Sequence, residues 1–220
     1  DIIELGLPFS DPLADGPVIQ NAAHLALTKG ISTTKFFDIV KKIRKETNLP
    51  LVLMTYTNIL YRQGFDKFIS RAKKAGIDGF ILPDMPVEEA SLYLDAIHKY
   101  KVDAIFLASP NTSKERIKKI IRASSGFLYL VSVYGTTGVQ QKIKKYTIDA
   151  IKNSKKISGG KIPVAVGFGI SSPKQAKSFV KIGADAIIVG SALLRLIDEI
   201  EPNKIESRIE NFTRRLKRSI

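Results

Sequence analysis

Short apolar runs alternate along this chain with longer segments whose apolar residues recur every three or four positions. The short runs, bounded by Gly, Pro or Asp, predict strands, and the longer segments predict the crossover helices of a parallel sheet. The pattern occurs seven times. Strands are predicted at Ile2–Gly6, Leu51–Thr55, Gly79–Leu82, Asp103–Ala108, Phe127–Ser132, Val164–Val166 and Ala186–Val189.

The segments between these runs predict helices that pack on the sheet. They are Ile19–Lys29, Thr34–Glu46, Phe65–Ala75, Pro86–Tyr100, Ser113–Arg122, Thr147–Ser154, Pro173–Ile182 and Ala192–Ile200, with a last amphipathic helix at Lys204–Lys217. No linker or low-complexity tract divides the chain. We therefore predict a single domain over residues 1–220.

The number of strand–helix units favours an α/β fold of the TIM (β/α)8-barrel class. Seven units are one short of eight, and the chain opens inside an apolar run at Asp1. We therefore expect a barrel without its first strand–helix unit. A doubly wound open sheet is the alternative, but it would carry a glycine-rich dinucleotide fingerprint after its first strand, and Gly6-Leu7-Pro8-Phe9 is not one.

Composition excludes several kinds of chemistry. The chain has no Cys and only 2 His, which excludes disulfides, a thiolate nucleophile and a metal site built on sulfur or on many histidines. The net charge of +14 suggests nucleic-acid binding as one possible function, but the sequence contains no nucleic-acid-binding motif. No apolar stretch approaches the roughly 20 residues of a membrane helix, and no secretion signal is recognisable. We predict a cytoplasmic protein that binds neither nucleic acid nor membrane.

The loop after the first predicted strand contains candidate acid–base residues. Glu4 lies within an apolar strand, where burial would raise its pKa and suit a general acid or base; a barrel-lining Glu paired with a Lys from a neighbouring strand is equally consistent. Asp11 and Asp15 follow in the same loop. For both, an Asx turn or a helix N-cap is the structural alternative.

The last two predicted strands each end in small residues just before a helix. Gly167-Phe168-Gly169-Ile170-Ser171 and Gly190-Ser191-Ala192 would present backbone N–H groups at a helix N-terminus, which favours an anion. Phosphate sites recur at these two positions of (β/α)8 barrels. Tight turns alone are the alternative explanation. The segment after the fifth predicted strand, Tyr134-Gly135-Thr136-Thr137-Gly138, has the composition of a substrate-covering lid or of a disordered loop.

These motifs, taken together, resemble one known family. Glu4-Leu5-Gly6-Leu7-Pro8-Phe9-Ser10-Asp11-Pro12-Leu13-Ala14-Asp15-Gly16-Pro17 is similar to the signature of the tryptophan synthase alpha subunit. The resemblance continues in family order through Met54-Thr55-Tyr56-Thr57-Asn58, Leu82-Pro83-Asp84-Met85-Pro86, the lid segment and both phosphate motifs. It covers nearly the whole chain, and the first motif is long and specific.

The resemblance implies a lyase that cleaves indole-3-glycerol phosphate to indole and glyceraldehyde 3-phosphate in tryptophan biosynthesis, with no metal and no cofactor of its own. Glu4 and Asp15 would be catalytic: Glu4 as general acid and base, Asp15 at the indole nitrogen. The implied substrate-binding residues are Tyr56, Tyr129 and Thr137. The implied phosphate-binding residues are Gly138, Gly167, Phe168, Gly169, Gly190 and Ser191.

The same resemblance implies a partner, the pyridoxal-phosphate-dependent beta subunit, which receives indole within an α2β2 complex. Asp11, Pro12, Asn58, Asp84 and Pro86 would face it. The alternative function is another phosphate-binding barrel enzyme of histidine or indole metabolism. Such an enzyme would share the two phosphate motifs but not the loop with Asp11 and Asp15.

Overall fold

The structure, a computed structural model, describes residues 1–131, 143–167, 169–198 and 201–220. The chain forms two compact units. The first contains residues 1–14, 20–107 and 119–126, and the second contains residues 15–19, 108–118 and 127–220. Parallel strands alternate with helices in both units, which confirms the predicted α/β class. The prediction of a single domain stays a prediction.

Each sheet in the described part of the chain has four strands. The first sheet has the order β1 (Ile3–Gly6), β2 (Leu51–Met54), β3 (Gly79–Ile81) and β4 (Asp103–Ile105), all parallel. The second has the order β5 (Leu107–Ala108), β6 (Leu128–Val131), β7 (Val164–Gly167) and β8 (Ala186–Ile187). The predicted strand Asp103–Ala108 is therefore wrong as one element, because it divides at Phe106 and its halves belong to different sheets.

Helices connect the strands. They are α1 (Pro17–Thr28), α2 (Thr33–Glu46), α3 (Thr57–Gln63), α4 (Phe65–Ala75), α5 (Ser91–Tyr100), α6 (Lys114–Ala123), α7 (Lys145–Ser158), α8 (Pro173–Ile182), α9 (Ser191–Asp198) and α10 (Ile205–Lys217). Among the described residues, no helix is long and apolar enough to cross a membrane.

The predicted helix boundaries are most accurate where the sequence provides its own start and stop signals. Helices α4 and α8 have the predicted ends, because Gly76 and Gly183 terminate them with positive φ angles of 108° and 122°. Pro173 opens α8 behind the N-cap Ser172. The prediction missed α3 entirely, and it began α5 too early, since Val87–Glu89 forms a separate 3₁₀ turn.

Aromatic and branched side chains form the core between strands and helices of the first unit. Phe37 of α2 lies 5.4 Å from Phe68 of α4, and Phe68 lies 6.5 Å from Phe80 of β3, measured between ring centroids. Leu51 and Leu53 of β2 are fully buried beside them. In the second unit, alternate residues of β6 and β7 are fully buried in the same way: Leu128, Leu130, Val164 and Val166. Burial on this scale fixes the register of the strands.

A carboxylate ties neighbouring strands together at their amino ends in the first unit. Asp78 precedes β3 and exchanges two hydrogen bonds with Leu51 of β2: its amide donates to the Leu51 carbonyl (2.8 Å), and its Oδ2 accepts from the Leu51 amide (2.9 Å). Arg44 of α2 pairs with the same Oδ2 at 2.6 Å and donates to the Gly76 carbonyl at 2.7 Å. One side chain thereby joins β2, β3 and α2.

The second unit repeats this arrangement with different residues. Asp185 precedes β8; its amide donates to the Val164 carbonyl (2.9 Å) and its Oδ2 accepts from the Val164 amide (2.7 Å). Lys155 of α7 donates to both carboxylate oxygens at 2.6 and 2.7 Å. A glycine with positive φ ends the helix two residues before the aspartate in each case, Gly76 and Gly183. We call this arrangement the strand-end clamp.

Replacing the clamp aspartate should destabilise the protein. Asp78→Ala removes both the ion pair and the acceptor for the Leu51 amide, so we expect the free energy of unfolding to fall by about 2 kcal/mol. Asp38→Ala is the matched control, because Asp38 forms an exposed ion pair with Lys41 within one helix and should cost less than about 0.5 kcal/mol. Urea unfolding of both variants tests this, and equal losses would contradict it.

Candidate functional site

The candidate residues are divided between the two units. Glu4, Asp11, Pro12, Tyr56, Asn58, Asp84 and Pro86 lie in the first. Asp15, Tyr129, Gly167, Gly169, Gly190 and Ser191 lie in the second. Most of them follow the carboxyl end of a strand, which is where parallel α/β folds gather functional side chains.

Glu4 lies in the middle of β1 and is exposed. The expectation that it is buried is therefore wrong: β1 is the outer strand of its sheet, and Glu4 and Gly6 form its exposed face. Its neighbour in register is Val52, and β2, Leu51–Met54, contains no lysine. The adjacent strand thus does not provide the ion-pair partner considered as the structural alternative.

Asp15 is buried, with 6% of its surface exposed, directly before α1. The helix begins at Pro17, and the Ile19 amide donates to the Gly16 carbonyl at 3.0 Å, so Gly16 rather than Asp15 occupies the position before the first helical residue. Burying a carboxylate lowers the stability of the folded protein unless the group is paired or hydrogen-bonded, so a buried carboxylate is a candidate for a functional role. Burial distinguishes Asp15 from Asp11, which is exposed and accepts a hydrogen bond from its neighbour Ser10.

Tyr56 stands between β2 and α3 and is only 3% exposed. Its hydroxyl accepts a hydrogen bond from the Ala14 amide at 3.0 Å, and its ring stacks on Phe9 at 5.3 Å. Both contacts are to the loop that follows β1. The structure thus brings Tyr56 to the loop that leads into Asp15.

Among the residues proposed to face a partner, Asn58 lies at the start of α3, and Asp84 and Pro86 lie in the loop after β3. Both Asn58 and Asp84 are exposed. Asp84 accepts hydrogen bonds from the amide of Thr57 at 2.9 and 3.2 Å and from its hydroxyl at 2.9 Å. Asp84 therefore caps α3 from a distance of 27 residues. Sequence reasoning missed Thr57, and no local signal could have found this cap.

Tyr129 in β6 lies across the end of β7. A Cβ atom added to Gly167 would approach the Tyr129 ring carbon Cε2 and the hydroxyl oxygen at 2.5 Å. Gly167 therefore makes room for the tyrosine, whose hydroxyl reaches the carboxyl end of β7. The Tyr129 ring also fills the core, since the residue is 5% exposed.

Backbone geometry after β7 and β8 suits an anion. Gly169 has a φ of +79°, a left-handed conformation that favours glycine. Gln175 organises the next turn: its Oε1 accepts from the Ser171 amide at 2.9 Å, while Ser172 caps α8 by accepting from the Gln175 amide at 3.3 Å. The sequence Ser172-Pro173-Lys174-Gln175 is a capping box that could have revealed Gln175.

Helix α9 begins immediately after Gly190, whose carbonyl accepts from the amides of Leu193 and Leu194 at 2.9 and 3.2 Å. The amides of Ser191 and Ala192 lie at the N-terminal end of the helix, where N–H groups have no acceptor within the helix, and no acidic residue lies in the first turn. The positive end of the helix dipole also favours an anion at this position. Ser191 contributes a hydroxyl as the first helical residue.

Three predicted site residues, Thr137, Gly138 and Phe168, lie outside the described residues. In the part of the chain that is described, no three His, Asp or Glu side chains group in a way that could hold a metal ion. The described candidate residues offer the carboxylate of Glu4 and the hydroxyl of Tyr56 in the first unit, and the carboxylate of Asp15, the hydroxyl of Tyr129 and backbone amides in the second.

Comparison with known proteins identifies the family. The family described as "Tryptophan synthase alpha chain" matches residues 1–220. The chain belongs to the tryptophan synthase alpha chain family. It is 43% identical to the alpha chain of Methanococcus vannielii over 220 residues, all of this chain and 84% of that protein. It is 47% identical to the alpha chain of Methanosarcina acetivorans, again over all of this chain and 78% of that one.

A solved structure shows the same fold. In the tryptophan synthase α2β2 complex of the hyperthermophile Pyrococcus furiosus, one chain is 40% identical to this one with a TM-score of 0.90. The match covers 98% of this chain and 86% of that chain. Family and structure together confirm three predictions: the tryptophan synthase alpha resemblance, the (β/α)8-barrel fold class, and a lyase of tryptophan biosynthesis. They decide against another phosphate-binding barrel enzyme.

Gly167→Ala should disturb Tyr129 in this alpha chain. The new methyl group would overlap the ring, so we expect unfolding to become easier by about 1–3 kcal/mol, with a raised KM for the substrate. Gly6→Ala is the control, because Gly6 also ends a strand and nothing lies within 4 Å of the added Cβ. Urea unfolding and steady-state kinetics measure both effects, and equal stability of the two variants would contradict the assignment.

Proposed function

We propose that Glu4 and Asp15 carry the lyase reaction of this alpha chain, the cleavage of indole-3-glycerol phosphate to indole and glyceraldehyde 3-phosphate. Both carboxylates belong to the segment that runs from β1 to α1. The observation that best supports the proposal is the phosphate-suited end of the second sheet. There Tyr129 lies against Gly167, and the N-terminal end of α9, with no acidic residue in its first turn, favours an anion.

Glu4 acts as the general acid and base. The bond that breaks joins C3 of the indole ring to the glycerol chain, and a proton must reach C3 before that carbon can leave. Glu4 delivers this proton and then takes the proton of the neighbouring glycerol hydroxyl, whose carbon becomes the aldehyde. The electron pair of the broken bond returns to the ring, which becomes indole. A carboxyl group suits both transfers, because it can donate a proton in one step and accept one in the next.

Asp15 stabilises the positive charge at the indole nitrogen. Protonation at C3 turns the ring into an iminium, and a carboxylate beside its N–H lowers the energy of that state. Burial strengthens the interaction, because little water is left to screen it. The different exposure of Glu4 and Asp15 suits their different tasks, proton transfer for one and charge stabilisation for the other.

Backbone amides hold the phosphate. Gly167, Gly169, Gly190 and Ser191 surround the ends of β7 and β8 and the start of α9, and we assign Gly138 and Phe168 to the same group on the family resemblance. Tyr129 contacts the substrate near the reacting carbon. We assign Thr137 to substrate binding on the same resemblance.

The partner is a tryptophan synthase beta subunit, as in the α2β2 complex of Pyrococcus furiosus. We place Asp11, Pro12, Asn58, Asp84 and Pro86 at that interface, where the first unit exposes Asp11, Asn58 and Asp84. Pyridoxal phosphate belongs to the beta subunit, and the alpha reaction uses the acid–base groups above. The cytoplasm stays the predicted location.

Two isosteric substitutions test the catalytic assignment. Glu4→Gln should lower indole release by at least about 100-fold, because an amide cannot transfer the proton, while substrate binding and folding persist. Asp15→Asn should also lose most activity, but less completely, since the amide retains a hydrogen bond. Glu206→Gln, an exposed position of α10, should have no effect. Turnover by Glu4→Gln at the wild-type rate would remove Glu4 from the mechanism.

The partner proposal predicts a change in rate. Adding a purified beta subunit should raise indole formation from indole-3-glycerol phosphate, because docking on the loop between β1 and α1 would order the segment that carries Asp15. The Asp11→Ala variant should need more beta subunit for the same effect. Unchanged rates at saturating beta subunit would exclude coupling between the two subunits.

A further inference from the structure

We propose that Tyr56 is a positioning residue that fixes the catalytic loop, and that Asp84 and Thr57 fix Tyr56. The inference rests on the proposed function, because it takes Asp15 as catalytic. It departs from the substrate-binding role that the family resemblance implied for Tyr56. The contacts that carry it all lie within the first unit.

The loop between β1 and α1 has little regular structure of its own, so its shape depends on contacts to other segments. Its start is fixed by the Leu7 amide, which donates to the Met54 carbonyl of β2 at 3.0 Å. Near its end, the Ala14 amide donates to the Tyr56 hydroxyl at 3.0 Å. Between these two points Ser10, Asp11 and Leu13 are exposed, Leu13 to 87%.

The Tyr56 bond acts next to the catalytic carboxylate. Ala14 immediately precedes Asp15, so a hydrogen bond at the Ala14 amide restricts the peptide unit that leads into Asp15. Tyr56 is itself well placed for this task, since its ring is 3% exposed and stacks on Phe9 of the same loop. The stacking of Phe9 holds the loop against the Tyr56 ring, and the hydrogen bond to the Tyr56 hydroxyl fixes the position of the Ala14 backbone.

Asp84 fixes the backbone that carries Tyr56. Tyr56 is the N-cap residue of α3, but its own side chain makes no capping bond. The carboxylate of Asp84 supplies the cap instead, accepting from both the amide and the hydroxyl of Thr57. Its negative charge also complements the N-terminal end of the helix dipole.

A continuous set of contacts therefore leads from the exposed Asp84 through Thr57 and Tyr56 to Ala14, and then along the chain to Asp15. Asp84 is one of the residues proposed to face the beta subunit. A partner that displaces the Asp84 carboxylate would loosen the first turn of α3 and shift the Tyr56 hydroxyl.

Hydrogen exchange of the substrate-free full-length chain tests the positioning step without any catalytic assay. Tyr56→Phe keeps the ring and its stacking but removes the acceptor, so exchange of the Ala14 amide should accelerate at least about fivefold, the equivalent of one net hydrogen bond. The Leu7 amide at the other end of the loop should be unchanged. Tyr100→Phe removes a hydroxyl bonded to Asp66 and should leave both amides unchanged. Unaltered exchange at Ala14 in Tyr56→Phe would overturn the proposal.

Kinetics then separate positioning from substrate binding. A positioning role predicts that Tyr56→Phe lowers kcat about fivefold and changes KM less than about twofold. If Tyr56 instead bound the substrate directly, the same substitution would mainly raise KM. A raised KM at unchanged kcat would overturn the positioning role even though the lyase assignment stood. If Glu4→Gln and Asp15→Asn were fully active while Ala14 exchange responded as expected, the catalytic assignment would fail instead.

The contribution of Asp84 is measured by a double-mutant cycle. Asp84→Ala should accelerate Ala14 exchange in the wild-type background and add little to Tyr56→Phe, because both substitutions break the same set of contacts. Asp38→Ala, in an exposed ion pair on α2, is the matched control and should change neither. Fully additive effects of Asp84→Ala and Tyr56→Phe would overturn the connection between them.

Discussion

The fold depends on an aspartate that exchanges two hydrogen bonds with the neighbouring strand, one donated by its own amide and one accepted by its carboxylate. Asp78 does this with Leu51 in the first unit, and Asp185 does it with Val164 in the second. A parallel pair of strands has no hairpin turn to set its register, because the connection crosses over through a helix. The aspartate provides this missing constraint at the point where the helix has ended and the strand begins.

A fixed register at the amino ends determines what reaches the carboxyl ends. Once Leu51 is aligned with Asp78, β2 runs four residues and delivers Tyr56 to the loop after β1. Once Val164 is aligned with Asp185, β7 ends at Gly167 beneath the Tyr129 ring. Stability and chemistry are thus divided between opposite strand ends, as is general in (β/α)8 barrels. A substitution in a strand-end clamp would therefore shift the strand register and displace the residues at the carboxyl end of that strand.

The sequence predicted those features whose determinants are local. The Gly-x-Asp pattern before β3 and before β8 predicts the end of a helix and the start of a strand. For that reason α4 and α8 were predicted with correct boundaries. Helix α3 was missed because its cap, Asp84, is far away in the chain. The burial of Glu4 was predicted wrongly because strand position within a sheet decides exposure, and residue pattern alone does not reveal an edge.

The same reasoning explains why Tyr56 was difficult to assign. A tyrosine after a strand can direct its hydroxyl to a ligand or to the backbone, and the two roles leave the same sequence pattern. What separates them is the position of Ala14, 42 residues away, whose amide meets the hydroxyl at hydrogen-bond distance. Since a buried tyrosine usually satisfies its hydroxyl within the protein, the backbone contact explains the residue without a substrate. The Ala14 amide is therefore held by a contact within the first unit, immediately before Asp15 in the chain.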